Sequence, residues 1–277
     1  MIEQFRPQRP KKLEELPQDI EGKTFSEKID GGNCVIDVDL PNVEIYHARD
    51  KTFTRRTYRY PLLVNEIRQG NVLRDKCTYI GELSVLNNHG VGQHWLFMSR
   101  QLENQFQIQR MSKLVPVVFF AHHIIQENGE MLDGLTYEEI LTLLGKYVKE
   151  GDHVKHIPTF KNPEPLLERK GNIEGVIIND LSRTYHFGKR GFGIYKVKFL
   201  KEKIVRFISY VEKDVGINLF TTENKEIHLS GHRVKTAIDS IEEKGFVIAE
   251  IEFFAETNKG FRDASIKRIG KIKEQDI

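Results

Sequence analysis

Apolar and polar residues alternate in short stretches over the first half of the chain, a period of two that belongs to strands. "NCVIDVDL" and "NVEIYHA" show it, with β-branched residues in the apolar places, and "CTYIGELSVL" and "KLVPVVFFAHHII" read the same way. The period lengthens in "TYEEILTLLGKYV", where Leu141, Leu144 and Val148 fall at helical spacing. That segment opens with Thr136 and, three residues on, Glu139, the sequence form of a capping box. "PTFKNPEPLLERKGN" is punctuated by prolines and reads as a connection. Two further strands follow, "IEGVIIND" and "GIYKVKFL".

Beyond about residue 205 the texture changes. "INLFTT", "EIHLS", "FVIAEIEFFAE" and "ASIKRI" are short strands, interrupted by one helix, "RVKTAIDSIEEKG", that stops at Gly245. Short strands with a single helix predict a small barrel of the OB type. The expected organisation is therefore two domains, 1–203 and 204–277.

Four strand segments carry charge where an apolar core pattern would not. Residues i and i+2 of a strand share a face, which pairs Lys28 with Asp30 in "EKIDGG" and Lys196 with Lys198 in "YKVKFL". Glu82 interrupts an apolar strand, and Glu174 heads a β-branched run. Burying such charges costs several kcal/mol each unless they meet one another or a ligand. Any one of them could simply face solvent, but three lysines and two glutamates together point to a common cleft. In "SEKIDGGNC" the Asp-Gly and Gly-Gly pairs are also ordinary turn chemistry.

Composition narrows the class. The chain has 277 residues, 39% hydrophobic and 30% charged, and a net charge of +2. That balance is globular and leaves room for a local basic face. Cys34 and Cys77 make no disulfide framework, so a reducing cytoplasm is expected. No run is apolar and long enough to span a bilayer, and "MIEQFRPQRPKKLEEL" has no apolar stretch of a signal peptide. It reads as an arm leading to the first strand. The ten histidines lack ligand spacing with cysteines or carboxylates. "GKRGFG" does not open a helix and fails as a phosphate loop; its Lys189 and Arg190 are the basic tip of a hairpin. "RDKTFTRRTYRY" interleaves basic and aromatic residues in a way that suits a duplex phosphate track.

In order along the chain, "EKIDGGN", "TRRTYRYP", "YIGELSVL", "VVFFAHHIIQENGEML", "IEGVIIND" and "YKVKFL" resemble the motif series of the covalent nucleotidyltransferases. These comprise ATP-dependent DNA ligases, RNA ligases and mRNA capping enzymes. The segment 216–271 resembles the OB domain of small DNA ligases of the phage and prophage type. The resemblance implies an α+β fold, an adenylyltransferase domain of ATP-grasp-like antiparallel sheets followed by a small all-β OB domain. It implies a DNA ligase or ligase-like protein, monomeric, using ATP and Mg²⁺ on nicked nucleic acid, DNA before RNA.

The resemblance also assigns roles. Lys28 matches the lysine that attacks the α-phosphate and carries AMP; neighbouring cations and a dry pocket would lower its pKa. Asp30 matches the aspartate that orients the site. Glu27 and Asn33 belong to the same nucleotide-binding motif. Arg55, with Arg56 as the alternative, resembles an arginine on ribose or phosphate, and Glu82 the carboxylate on the ribose hydroxyl. Phe120, to within a residue or two, resembles the ring that stacks on the purine. Glu174 resembles the carboxylate near the metal, Lys196 and Lys198 the α-phosphate pair, and Arg262 a residue of the motif that contacts pyrophosphate. The glycines after Asp30 are expected to let the backbone approach nucleotide.

Three departures matter. Asn33 stands where DNA ligases usually carry arginine and is the pattern of RNA ligases that seal duplex RNA. His122 and His123 stand where an aspartate is usual. The last motif keeps Arg262, Lys267 and Arg268 but lacks the proline after Arg262. An RNA ligase of the duplex nick-sealing type and a catalytically impaired end-binding protein therefore stay open as alternatives.

Overall fold

The computed structural model describes residues 6–49 and 52–270. They divide into two compact units, 1–197 and 198–277. The first unit contains β1 (Arg9–Leu13), β2 (Lys23–Glu27), β3 (Gly32–Asp39), β4 (Asn42–Arg49), β5 (Thr52–Arg55) and β6 (Cys77–Ser84). It continues with β7 (Val118–Glu127), β8 (Glu130–Met131), β9 (Val154–His156), β10 (Thr159–Phe160), β11 (Gly175–Asp180) and β12 (Arg190–Lys198). Its helices are α1 (Pro61–Gly70), α2 (His94–Met98), α3 (Gln105–Leu114), α4 (Tyr137–Tyr147) and α5 (Glu164–Leu167).

Two sheets frame this unit. One has the order β1-β12-β11-β2-β10; the other has the order β5-β4-β3-β6-β7-β8, with β9 also paired to β7. Alternation along β3 explains how the second sheet works. Cys34, Ile36 and Val38 join Ile45, Tyr79 and Phe119 in a buried core with Leu63 and Ile67 of α1 and Ile140 and Leu144 of α4. Each such side chain contributes about 1.5–3 kcal/mol when buried. The opposite face carries Val35 and Ile80 against Tyr185, and beside them the polar Asn33 and Glu82. The charge inside that apolar strand thus marks the end of a face that opens onto a cleft.

The expected helix over 136–148 forms as α4. Its capping box is complete: Thr136 Oγ1 accepts the Glu139 N–H, and Glu139 Oε2 accepts the Thr136 N–H at 2.7 Å. In "KLVPVVFFAHHII" the strand starts only at Val118, because Lys113 and Leu114 close α3. The Asn104 side chain caps that helix by accepting the Gln107 N–H at 3.1 Å.

The second unit contains β13 (Lys201–Phe207), β14 (Ser209–Glu212), β15 (Ile217–Phe220), β16 (Glu226–Leu229), α6 (Arg233–Lys244), β17 (Val247–Phe253), β18 (Ala255–Glu256), β19 (Phe261–Arg262) and β20 (Ser265–Ile269). Two three-stranded sheets, β13-β17-β20 and β14-β15-β16, enclose Phe207, Leu219, Ala237 and Ile251. α6 ends on Gly245 at φ +78°, a left-handed cap that glycine adopts without a Cβ penalty. The break expected after residue 203 falls inside β13. That strand pairs along its whole length with β17, so the chain enters the second unit earlier, at Lys198.

Candidate active site

A cleft of about 790 Å³ lies in the first unit. The β2–β3 turn supplies Lys28 and Gly31, β3 supplies Gly32 and Asn33, β6 supplies Glu82, and β7 supplies His122. Ile177 and Asn179 line it from β11, and Arg190 and Lys196 from β12.

Lys28 follows the last residue of β2, and its backbone N–H donates to Gly175 O at 2.9 Å. Its Nζ lies 2.5 Å from Glu174 Oε2, and the Glu174 side chain is only 2% exposed. A buried carboxylate thus holds the amine from beneath while its upper side faces the cleft. Across the second sheet, Asn33, Glu82 and Phe120 sit opposite one another on β3, β6 and β7. Asn33 Nδ2 donates to Glu82 Oε1 at 3.2 Å, whereas the buried Asn33 Oδ1 has no protein partner. Burial pushes the Glu82 carboxyl up to about 7; Lys28 and the Asn33 hydrogen bond oppose that, while Glu174 and Asp30 add to it. Glu27 lines the cleft and pairs with Arg169 at 2.8 Å; burial raises its pKa and Arg169 opposes the rise.

Other expected residues take different places. β2 ends at Glu27, so the two-residue alternation does not carry Asp30 to the face of Lys28. Asp30 Oδ2 accepts the His94 N–H at 3.2 Å and its carbonyl accepts the Ser84 hydroxyl at 2.7 Å, which ties the turn to α2 and β6. Neither Gly31 nor Gly32 has a positive φ. A Cβ on Gly31 would overlap the Leu83 carbonyl oxygen, and one on Gly32 would stand 2.5 Å from the Phe97 ring. These glycines are required by close packing of protein on protein, not by turn geometry.

Phe120 is 6% exposed and packs with Ile29, Val118 and Ile157. His122, two residues on and beside a bulge in the β6–β7 ladder between Ile80 and Gly81, lines the cleft. Burial, aided by the charge of Arg183, pushes the His122 imidazole down to about 4 and so keeps it neutral. Arg55 pairs with Glu44 at 2.9 Å and is 63% exposed, away from the cleft lining; Arg56 pairs with Glu103 at 3.6 Å. Lys196 lines the cleft, whereas Lys198 belongs to the second unit. There Lys198 donates to Asp263 Oδ2 at 2.9 Å, with Arg262 Nε 3.9 Å from the same oxygen.

The arm before β1 also reaches the cleft. Gln8 is 6% exposed and, with Arg6 and Arg9, lines the cleft. The only signal in the sequence was the basic, proline-flanked "RPQRP".

A family model described as an ATP dependent DNA ligase domain matches residues 7–198. The chain belongs to that family. As a member of the ATP-dependent DNA ligase domain family it is 27% identical to DNA ligase 1 of Methanosarcina barkeri over 205 residues, 67% of this chain and 36% of that protein. It is 26% identical to a probable DNA ligase of Dictyoglomus turgidum over 199 residues, 69% of this chain and 33% of that one. The chain thus spans about a third of the length of these curated relatives. Its fold is that of solved ligases. A structure from an analysis of DNA binding by Lig E DNA ligases aligns with a TM-score of 0.69 at 17% identity, covering 96% of this chain and 99% of that one. The ligase domain of LigD from M. tuberculosis aligns at 0.57 with 16% identity, covering 100% and 98%. Among the described residues no helix is long and apolar enough to cross a membrane.

Proposed function

We propose that the chain is an ATP-dependent ligase that seals nicks in DNA, and that Lys28 is its nucleophile. The observation that carries this reading is the amine of Lys28 at the floor of a basic cleft, 2.5 Å from a buried carboxylate. The Lys28 amine attacks the α-phosphorus of ATP. An N–P bond forms, the bond to the bridging β-oxygen breaks, and pyrophosphate leaves with that electron pair. The amine proton has Glu174 Oε2 as its nearest acceptor. The AMP then passes to the 5′-phosphate of a nick, and the 3′-hydroxyl displaces it, joining the strand. Such transfers need positioning and charge compensation more than acid–base chemistry.

The remaining roles follow from position. Glu82 accepts a ribose hydroxyl, and the partnerless Asn33 Oδ1 beside it is a second acceptor for the nucleotide. His122, a neutral ring on the cleft wall, takes the stacking role expected of Phe120. Lys196 faces the phosphates. Lys198 and Arg262, the other expected phosphate-binding residues, belong to the second unit. Among the described residues no three His, Cys, Asp or Glu side chains cluster as a metal cage. Mg²⁺ ordinarily needs only one or two carboxylates beside substrate phosphates, and Glu174 is the one that fits. When bound there, the ion neutralises phosphate charge. The protein acts as a monomer in the cytoplasm.

Asn33 favours duplex RNA as the alternative substrate. Sealing of one singly nicked duplex, made in DNA and in RNA, separates the two. Faster sealing of the DNA nick is expected; equal or faster sealing of the RNA nick would give the chain to the RNA ligases.

A further inference from the structure

The turn that carries Lys28 is held from behind, residue by residue. The Lys28 N–H donates to Gly175 O at 2.9 Å. The next side chain, Ile29, is buried and packs with Val118, Phe120 and Ile157. At Asp30 the carbonyl accepts the Ser84 hydroxyl at 2.7 Å, and Oδ2 accepts the His94 N–H at 3.2 Å. At Gly31 the space for a Cβ is filled by the Leu83 carbonyl. The Lys28 side chain extends from this clamp to Glu174, 2.5 Å away.

Two residues of the clamp are fitted to the turn. Ser84, the last residue of β6, is fully buried. A buried hydroxyl is costly unless it is bonded, and here the bond goes to the turn. Gly92 sits against that same bond. A Cβ on it would stand 2.8 Å from Ser84 Oγ and 3.2 Å from both the nitrogen and the carbonyl oxygen of Asp30. Gly92 arrives there because segment 85–93 folds back on itself. The Gln93 N–H donates to Val85 O at 2.8 Å and the Asn87 N–H to Val91 O at 2.9 Å. Asn87 Oδ1 closes the loop by accepting the His89 and Val91 N–H groups at 2.9 and 3.0 Å. The loop thus presses a residue without a side chain against the link from Ser84 to Asp30.

We infer that Ser84 and Gly92 are positioning residues for the nucleophile. Through Asp30 they fix the backbone two residues after Lys28, and with it the direction from which the amine meets the α-phosphorus. The inference rests on the ligase reading for the reaction, but the hold on Lys28 stands on contacts within this chain. A reacting atom misplaced by about 1 Å can slow a reaction about a hundredfold, whereas one hydrogen bond is a small part of the stability of a domain. Ser84 should therefore weigh more on rate than on folding.

The test uses the full chain with Ser84→Ala and Gly92→Ala, each checked by circular dichroism and a thermal melt. Ser84→Ala deletes only the hydroxyl and is expected to fold. Adduct formation at saturating ATP should slow about tenfold in both variants, with KM for ATP within about twofold of wild type. Sealing of a preadenylylated nick, which needs no attack by Lys28, should also stay within about twofold. Labelling with acetic anhydride, read by mass spectrometry, reports the position of the amine without ATP. Once the turn shifts and the amine leaves Glu174, Lys28 should label about threefold faster relative to the other lysines. A folded Ser84→Ala that forms adduct at the wild-type rate overturns the inference. So does a slowed rate matched by an equal loss of sealing, or a rise in KM with the rate at saturation unchanged. If wild type forms no adduct, the ligase reading fails. Faster labelling of Lys28 in Ser84→Ala then still supports the hold on the amine, and unchanged labelling overturns that as well.

Discussion

At the scale of the residue, the site is organised by what lies beneath it. Glu174 is almost fully buried and meets Lys28 at 2.5 Å, so removing either partner takes away a charge that compensates the other. Glu82 gives a pH signature. Its folded value of about 7 lies above the ordinary 4.5. The folded state therefore holds a proton between these values that the unfolded state has released, and stability falls as pH rises from about 4.5 to 7. The loss is at most about 3 kcal/mol. Thermal melts of the ligand-free protein across that range should show it, and Glu82→Gln should flatten the curve; parallel curves would contradict the assignment. Gly31→Ala should destabilise by about 2–3 kcal/mol, because its Cβ meets backbone and not a movable side chain. A melt within about 1 °C of wild type would refute that packing argument. Lys28, Glu82 and Lys196, each a charge in a strand-like run, line one cleft, and Glu174, another such charge, meets Lys28. Phe120 lies opposite Glu82 as the count by twos expects, but Ile29, Val118 and Ile157 cover it, and no local pattern reports that packing.

At the scale of the element, local signals carried well and distant pairings did not. Thr136 and Glu139 announced α4, and its reciprocal cap forms. Thr136→Ala should cost about 1 kcal/mol and leave adduct formation unchanged, measured by chemical denaturation beside the activity. A loss of activity at equal stability would mean that α4 does more than support the sheet. α3 went unread because its Asn104 cap precedes no strong apolar stripe; only Ile108 and Ser112 are buried. The pairing of β1 with β12 joins residues about 180 apart in sequence, and no local periodicity reports such a partnership. Lys196 and Lys198 share a face of one strand, yet the unit boundary passes between them.

At the scale of the whole molecule, the two units were visible in the change of texture near residue 205, and the family match covers the first of them. The cleft is lined by lysines and arginines from several strands and the arm, while the net charge of the chain is only +2. Binding to a nick should then depend on local phosphate contacts. The logarithm of the affinity should fall linearly with the logarithm of salt concentration, by about 0.9 per phosphate neutralised. Affinity that does not change with salt would remove the duplex from this account. The central claim is the covalent step at Lys28. Wild type and Lys28→Ala, incubated with Mg²⁺ and ATP labelled at the α-phosphate and separated under denaturing conditions, test it directly. The account predicts label that survives denaturation on wild type and is absent from the variant; label retained by Lys28→Ala, or none on either protein, would contradict it.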